Sequence, residues 1–115
     1  MSTSSNIGGA EKRSEPRLPV AHQFTIAHKT IGETTCNTRD LSLKGAFVEG
    51  DFTKVTIGST MAVSFILKSR RPGSDKATRY RFSAILVRVT GDGAGLNFTG
   101  LDIETDAAIY DLMHR

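Results

Sequence analysis

Two short stretches carry side chains suited to gripping an anionic, base-bearing ligand. In the first, Arg13-Ser-Glu-Pro-Arg17 places two arginines four residues apart with Pro16 between them. On a helix they would share a face, but the proline favours an extended arm, in which the two guanidinium groups span roughly 13 Å, the reach of a dinucleotide. Arginine's planar fork bonds phosphate bidentately, stacks on bases and matches guanine O6 and N7. The second stretch is Asp40-Leu-Ser42-Leu-Lys-Gly45. A carboxylate only accepts hydrogen bonds, so Asp40 suits a donor edge such as guanine N1–H with N2–H₂, and Ser42 adds an adjustable polar contact. Gly45, lacking a Cβ, allows a sharp turn and close backbone approach. Each stretch alone has a plainer reading: a charged, solvated arm for the first, an Asx/Ser turn satisfying its own backbone for the second.

Other chemistries find no support. His22 and His28, about 20 Å apart if one straight strand holds both, do not form a metal site with His114. Cys36 has no second cysteine and reads as a small strand residue, not a nucleophile. Gly91-Asp-Gly-Ala-Gly95 lacks the Gly-Lys-Ser/Thr ending of a phosphate loop and opens a strand, so it reads as a hairpin turn. No Ser/His/Asp constellation or carboxylate pair stands out. The chain reads as a binding domain without catalytic residues, metal or cofactor.

The elements that must position these groups follow a period of two. Val20, Phe24 and Ile26 share one face of a strand ending near His28, and Lys29–Glu33 reads as a turn. Thr34–Arg39 is a second strand and Gly45–Gly50 a short third, followed by a polar connection from Asp51 to Ser59. Met61, Val63, Phe65 and Leu67 alternate on a fourth strand. Thr78–Thr90 is the longest, with Tyr80, Phe82, Ala84 and Leu86 facing one way and Arg79, Arg81, Ser83, Ile85 and Val87 the other. A last strand begins at Leu96-Asn-Phe98. From Glu104 the period becomes helical, with Ala108, Ile109, Leu112 and Met113 as the apolar stripe and Asp106 in the first turn. Short strands closed by turns predict an antiparallel barrel or sandwich, one open end of it capped by the terminal helix.

With 115 residues, 38% hydrophobic and 23% charged, the chain supports one core, and the expected division is a flexible tail over residues 1–10 and one domain over 11–115. No apolar run approaches the ~20 residues of a membrane helix, the start is not a secretory signal, and one cysteine fits a reducing compartment, so a cytoplasmic protein is expected. The net charge of +3 is a mild bias towards anionic partners.

Taken together and in this order, the two stretches resemble the PilZ family, whose pattern is RxxxR near the N-terminus followed by (D/N)xSxxG. Arg13 and Arg17 match the first part; Asp40, Ser42 and Gly45 match the second. Ala46-Phe47-Val48 and Gly95-Leu96-Asn97-Phe98-Thr99-Gly100-Leu101 are also similar to the family. The resemblance covers about residues 11–113. It implies a six-stranded antiparallel β-barrel with a C-terminal α-helix and a receptor for the bacterial second messenger cyclic di-GMP, which signals through an unidentified downstream protein. It further implies that Arg13 and Arg17 grip phosphates and guanine edges, that Asp40 and Ser42 read a guanine, and that Gly45 shapes the turn. Lys12 sits where a second basic residue often occurs, and Arg88 resembles a fifth-strand position that can flank a guanine, beside the plainer reading of a solvated strand residue. Lys12, Arg13 and Arg17 together could serve the four phosphates of two stacked ligands, so two ligands per chain and a mobile free arm are expected.

Lys68–Arg81 holds six cations against Asp75 alone. Its plainest reading is a solvated hairpin loop whose basic residues guard an exposed strand edge; docking of an acidic partner or nucleic acid is the second. A small basic barrel binding single-stranded nucleic acid is the alternative function, and the weaker one, since the chain has no Trp and its aromatics fall mostly on expected core faces. A PilZ-like module that has lost its ligand is the third, opposed by the complete motifs.

Overall fold

The computed structural model describes residues 17–115. Six strands, β1 (Gln23–His28), β2 (Gly32–Leu41), β3 (Gly45–Glu49), β4 (Thr60–Lys68), β5 (Ala77–Val89) and β6 (Gly93–Thr99), are followed by helix α1 (Ile103–Met113). They form a closed antiparallel barrel in the order β1-β2-β3-β6-β5-β4, as expected. The β1–β4 pairing that closes the ring runs only over Ala62–Ser64 of β4, while β5 pairs β4 on its other side as far as Lys68. Past Ser64 the β1 side of β4 is met by side chains, His22 on the Ile66 carbonyl and Arg115 on the Lys68 carbonyl, and Arg79 and Arg81 project from the outer face of β5.

The alternation of β4 and β5 works as the period implied. Met61, Val63, Phe65 and Leu67 are buried, as are Phe82, Ala84 and Leu86, while the residues between them face outwards. Phe24 and Phe65 stack with ring centroids 5.2 Å apart, and Phe82 meets both edge-on. Each such buried side chain is worth about 1.5–3 kcal/mol of apolar transfer.

The two ends are closed differently. The segment between β3 and β4, expected to be merely polar, turns Phe52 and Val55 into the core, where they are 1% and 5% exposed. At the other end lies α1, whose Ala108, Ile109, Leu112 and Met113 are buried as predicted. Its N-cap is Asp102: the carboxylate accepts the Thr105 amide at 2.7 Å, and Glu104 and Asp106 place negative charge where the helix dipole favours it. Near its C-terminus Asp111 pairs with Arg70, from the β4–β5 connection, at 3.2 Å. Among the described residues, no helix is long and apolar enough to cross a membrane.

A correction concerns the glycine cluster. Gly93 and Gly95 lie within β6, paired with β3 and β5, and the reversal is confined to the residues just before Gly93. A Cβ at Gly93 would collide with the Val48 carbonyl oxygen and the Phe47 ring, so close contact, not turning, is what requires glycine there.

Candidate functional site

The end of the arm is fastened to β2. Leu18 and Leu41 exchange backbone hydrogen bonds, N–H to carbonyl in both directions, each 2.9 Å. That bridge brings Arg17 to Asp40, where guanidinium Nη1 donates to carboxylate Oδ1 at 2.6 Å. The Phe47 amide donates to the same oxygen at 3.3 Å. Among the described residues Oδ2 carries no hydrogen bond, so the carboxylate is oriented through one oxygen and keeps the other as an acceptor. Both partners are about one-third exposed, at 30% and 32%.

Strand register then lines up a row across the outer wall: Asp40 of β2 opposite Phe47 of β3, Phe47 opposite Gly95 of β6, and Gly95 opposite Arg88 of β5. At the usual ~4.8 Å between strands, Asp40 and Arg88 are ~14 Å apart. Two bulges make this row. One falls between Thr38 and Asp40, the other between Leu86 and Arg88. Each inserts an extra residue, which resets the alternation. Arg88, two residues after the buried Leu86, would point into the core on an unbroken strand; the bulge turns it outwards. By the same device Arg39 and Asp40, adjacent in sequence, both face out.

Phe47 lies between two cations. The Arg39 guanidinium is 4.6 Å from the ring centroid and that of Arg88 is 5.4 Å, within cation–π range. Phe47 is only 4% exposed although it points away from the barrel interior. Arg39 also donates to Glu49 at 3.3 Å and to Asp92 at 3.0 Å. The Thr90 hydroxyl first, and Arg39 second, hold the Asp92 carboxyl below its ordinary range. Neither Arg39 nor Phe47 is a site residue by its sequence pattern; strict alternation would have put Arg39 and Asp40 on opposite walls, and no residue type announces the bulge.

Ser42 is 4% exposed and its hydroxyl faces the turn. It accepts the amides of Lys44 (3.2 Å) and Gly45 (3.1 Å) and donates to the Gly45 carbonyl (3.2 Å). Its hydrogen-bonding capacity is thus engaged in holding the β2–β3 turn, the plainer of its two readings, and not directed outwards. A Cβ on Gly45 would collide with the Leu96 carbonyl oxygen of β6; Gly45 serves close approach. Lys12 and Arg13 lie outside the described residues, as does the expected mobile arm up to residue 16. Arg17, the last residue of that arm, is docked on Asp40.

Burial pushes the Cys36 thiol up to about 11, which keeps it protonated at neutral pH. Among the described residues no group of three or more His, Cys, Asp or Glu side chains is placed to hold a metal ion.

A family model described as PilZ domain matches residues 11–115. A search of the curated proteins finds no match. Among solved structures, the chain is similar to the Bacillus subtilis inhibitor of motility MotI/DgrA, at TM-score 0.71 and 14% identity over 90% of this chain; it spans 50% of that protein's length. It is similar to the PilZ domain of YcgR from Escherichia coli with c-di-GMP, at TM-score 0.66 and 11% identity, covering 90% of this chain and 89% of that one. A third is the PilZ domain of CeSA from a cellulose-synthesizing bacterium, at TM-score 0.61 and 17% identity, covering 86% and 95%. At these identities the likeness is one of fold.

Proposed function

The chain belongs to the PilZ domain family, and from that premise we propose that it is a receptor for cyclic di-GMP and passes the signal to a downstream protein by a change of conformation or surface. The observation that carries this reading is the row from the Arg17–Asp40 pair to Arg88. It offers a guanidinium and a free carboxylate oxygen at one end, a flat glycine step, and a second guanidinium ~14 Å away. A dinucleotide with two guanines and two phosphates uses all of these at once; a mononucleotide reaches only one end. Arg17 and Arg13 grip phosphate and guanine edges, with Lys12 adding a third cation to the arm. The free oxygen of Asp40 accepts from a guanine N1–H and N2–H₂. Arg88 flanks the second base, held in place by Phe47. Ser42 and Gly45 act by fixing the turn that aims Asp40. Two ligands per chain match the arm's three cations.

Isothermal titration tests this. Cyclic di-GMP is expected to saturate at two per chain, with GMP, ATP and a single-stranded oligonucleotide binding far more weakly. A ratio of one removes the paired ligand and leaves the receptor; equal affinity for GMP or the oligonucleotide removes the receptor.

A further inference from the structure

The basic residues that do not belong to the row converge on a different wall. The outer face of β1, β4 and β5 is paved with small side chains: Thr25 opposite Ser64, opposite Arg81; Ala27 opposite Ala62, opposite Ser83. One step further along β4, Ile66 stands opposite Arg79, and one more brings Lys68. Two adjoining grooves run over this floor and share Thr25. One, of about 310 Å³, includes His22, Ile66, Lys68, Arg79 and Arg115 in its lining; the other, of about 150 Å³, includes Ala27, Ala62, Ser64 and Arg81.

The cations here are largely uncommitted. Among the described residues Lys68 and Arg81 make no side-chain hydrogen bond or ion pair, and Arg79 bonds only the Ser64 hydroxyl, at 3.1 Å. Arg115 is tied to Asp111 and to the Lys68 carbonyl. The acids nearby do not neutralise the wall: Asp111 is shared between Arg70 and Arg115, and Glu33, which lines the smaller groove with Arg81, is one acid against Arg79, Arg81 and Lys68.

We propose that this wall is a docking trough for an extended acidic segment of a partner protein, with acidic residues at alternate positions. The spacing supports the register. Arg81 and Arg79 on β5 stand beside Ser64 and Ile66 of β4, one step of two residues or ~6.7 Å, the repeat between same-side side chains of an extended peptide, and Lys68 lies one such step beyond Ile66 on β4 itself. Alternate carboxylates then meet successive cations, and the intervening side chains rest on Ile66, 44% exposed, and on the alanine and threonine floor. The Ile66 and Lys68 carbonyls on the β1 side of β4 are taken by His22 and Arg115, so the peptide lies over the wall along the strands and does not add as a strand. A protein segment is favoured over single-stranded nucleic acid because the trough offers no stacking platform. Phe82 is buried in the core, and the His22 ring stands edge-on to Phe24 and Phe65 with its Nε2 against the Ile66 carbonyl. The inference does not rest on cyclic di-GMP binding, whose row crosses β2, β3 and β6 and meets β5 only at Arg88, seven residues beyond Arg81.

Fluorescence anisotropy with a fluorescein-labelled peptide alternating Glu and Val, beside a labelled oligothymidylate, tests it in the full chain. The peptide is expected to bind and the oligonucleotide to bind more weakly. The Arg79→Ser, Arg81→Ser double variant is expected to lose tenfold or more in peptide affinity, Lys68→Ser severalfold, and Arg17→Ala nothing. Amide shifts on peptide addition are expected at Thr25, Ala62 and Ser64, not at Asp40–Gly45. Absence of peptide binding, affinity unchanged in both trough variants with their melting curves intact, or tighter binding of the oligonucleotide overturns the proposal.

Discussion

Arg17 and Asp40 are 23 residues apart in sequence and 2.6 Å apart in space, and two backbone hydrogen bonds one residue further along, between Leu18 and Leu41, hold them there. The ion pair itself is not the fastening. Exposed pairs of this kind are worth about 0–1 kcal/mol, whereas the reciprocal bridge is made by backbone groups and persists whatever side chain precedes it.

Arg17→Ala is therefore expected to leave the fold in place, with less than about 1 kcal/mol lost in urea unfolding. Cyclic di-GMP affinity, measured by titration, is expected to fall roughly 10- to 150-fold, the worth of one charge-assisted contact of ~1.5–3 kcal/mol. A folded variant with unchanged affinity would remove Arg17 from the clamp.

Ser42→Ala separates turn-holding from ligand reading. The hydroxyl is buried and serves two amides and a carbonyl; deleting it leaves these partly unpaired at a cost of about 1–3 kcal/mol. Unfolding midpoint and affinity are expected to fall together. A loss of affinity at unaltered stability would assign Ser42 to the ligand directly.

Gly93→Ala is expected to destabilise the barrel by about 1–3 kcal/mol, as overpacking does, because the added methyl meets the Val48 carbonyl and the Phe47 ring. Gly91→Ala, where a Cβ would meet nothing within 4 Å, is the control and is expected to be near neutral. Chemical denaturation of the pair checks the contrast.

Strands whose inner residues alternate with outer ones were readable from the chain itself: Met61, Val63, Phe65 and Leu67, and Phe82, Ala84 and Leu86, are buried where the period puts them, with Tyr80 partly buried at the strand's start. Glycine misled. Gly93 and Gly95 resemble a turn because turns use glycine for its φ freedom, whereas both lie in β6, and at Gly93 the ring of Phe47 and the Val48 carbonyl of the neighbouring strand exclude a side chain. Phe52 and Val55 were hidden among polar neighbours, since a loop that plugs a barrel end has no period to display. The site was half legible. Asp40 and Arg17 come from motif spacing, but the outward turn of Arg88 and the place of Arg39 depend on bulges, which are set by how the ring of strands closes and not by any local residue type.

Acid titration of stability follows from three carboxylates. Asp102 is held below its ordinary range chiefly by the Thr105 amide, Asp92 chiefly by the Thr90 hydroxyl, then Arg39, and Asp51 chiefly by the Thr53 hydroxyl. A carboxyl whose folded pKa is depressed contributes stability above its unfolded value, about 3.9, and that contribution is lost as pH falls through the lower folded value. Melting temperature by circular dichroism is expected to be level from about pH 7 to 5 and to decline below about pH 4. In Asp102→Ala the decline should be shallower, from a lower starting point; an unaltered acid limb would mean that the helix cap does not contribute.

The Leu18–Leu41 bridge also acts as the peg of a leash. However the chain runs before it, four residues of backbone cannot carry the Arg13 Cα more than ~14 Å from that of Arg17. Chain length alone therefore keeps Arg13 within that distance of Arg17, and under the proposed clamp its meeting with a phosphate already held by Arg17 is an intramolecular event, governed by chain length and not by protein concentration. Lengthening the chain between the arginines would dilute the second grip without touching a single contact.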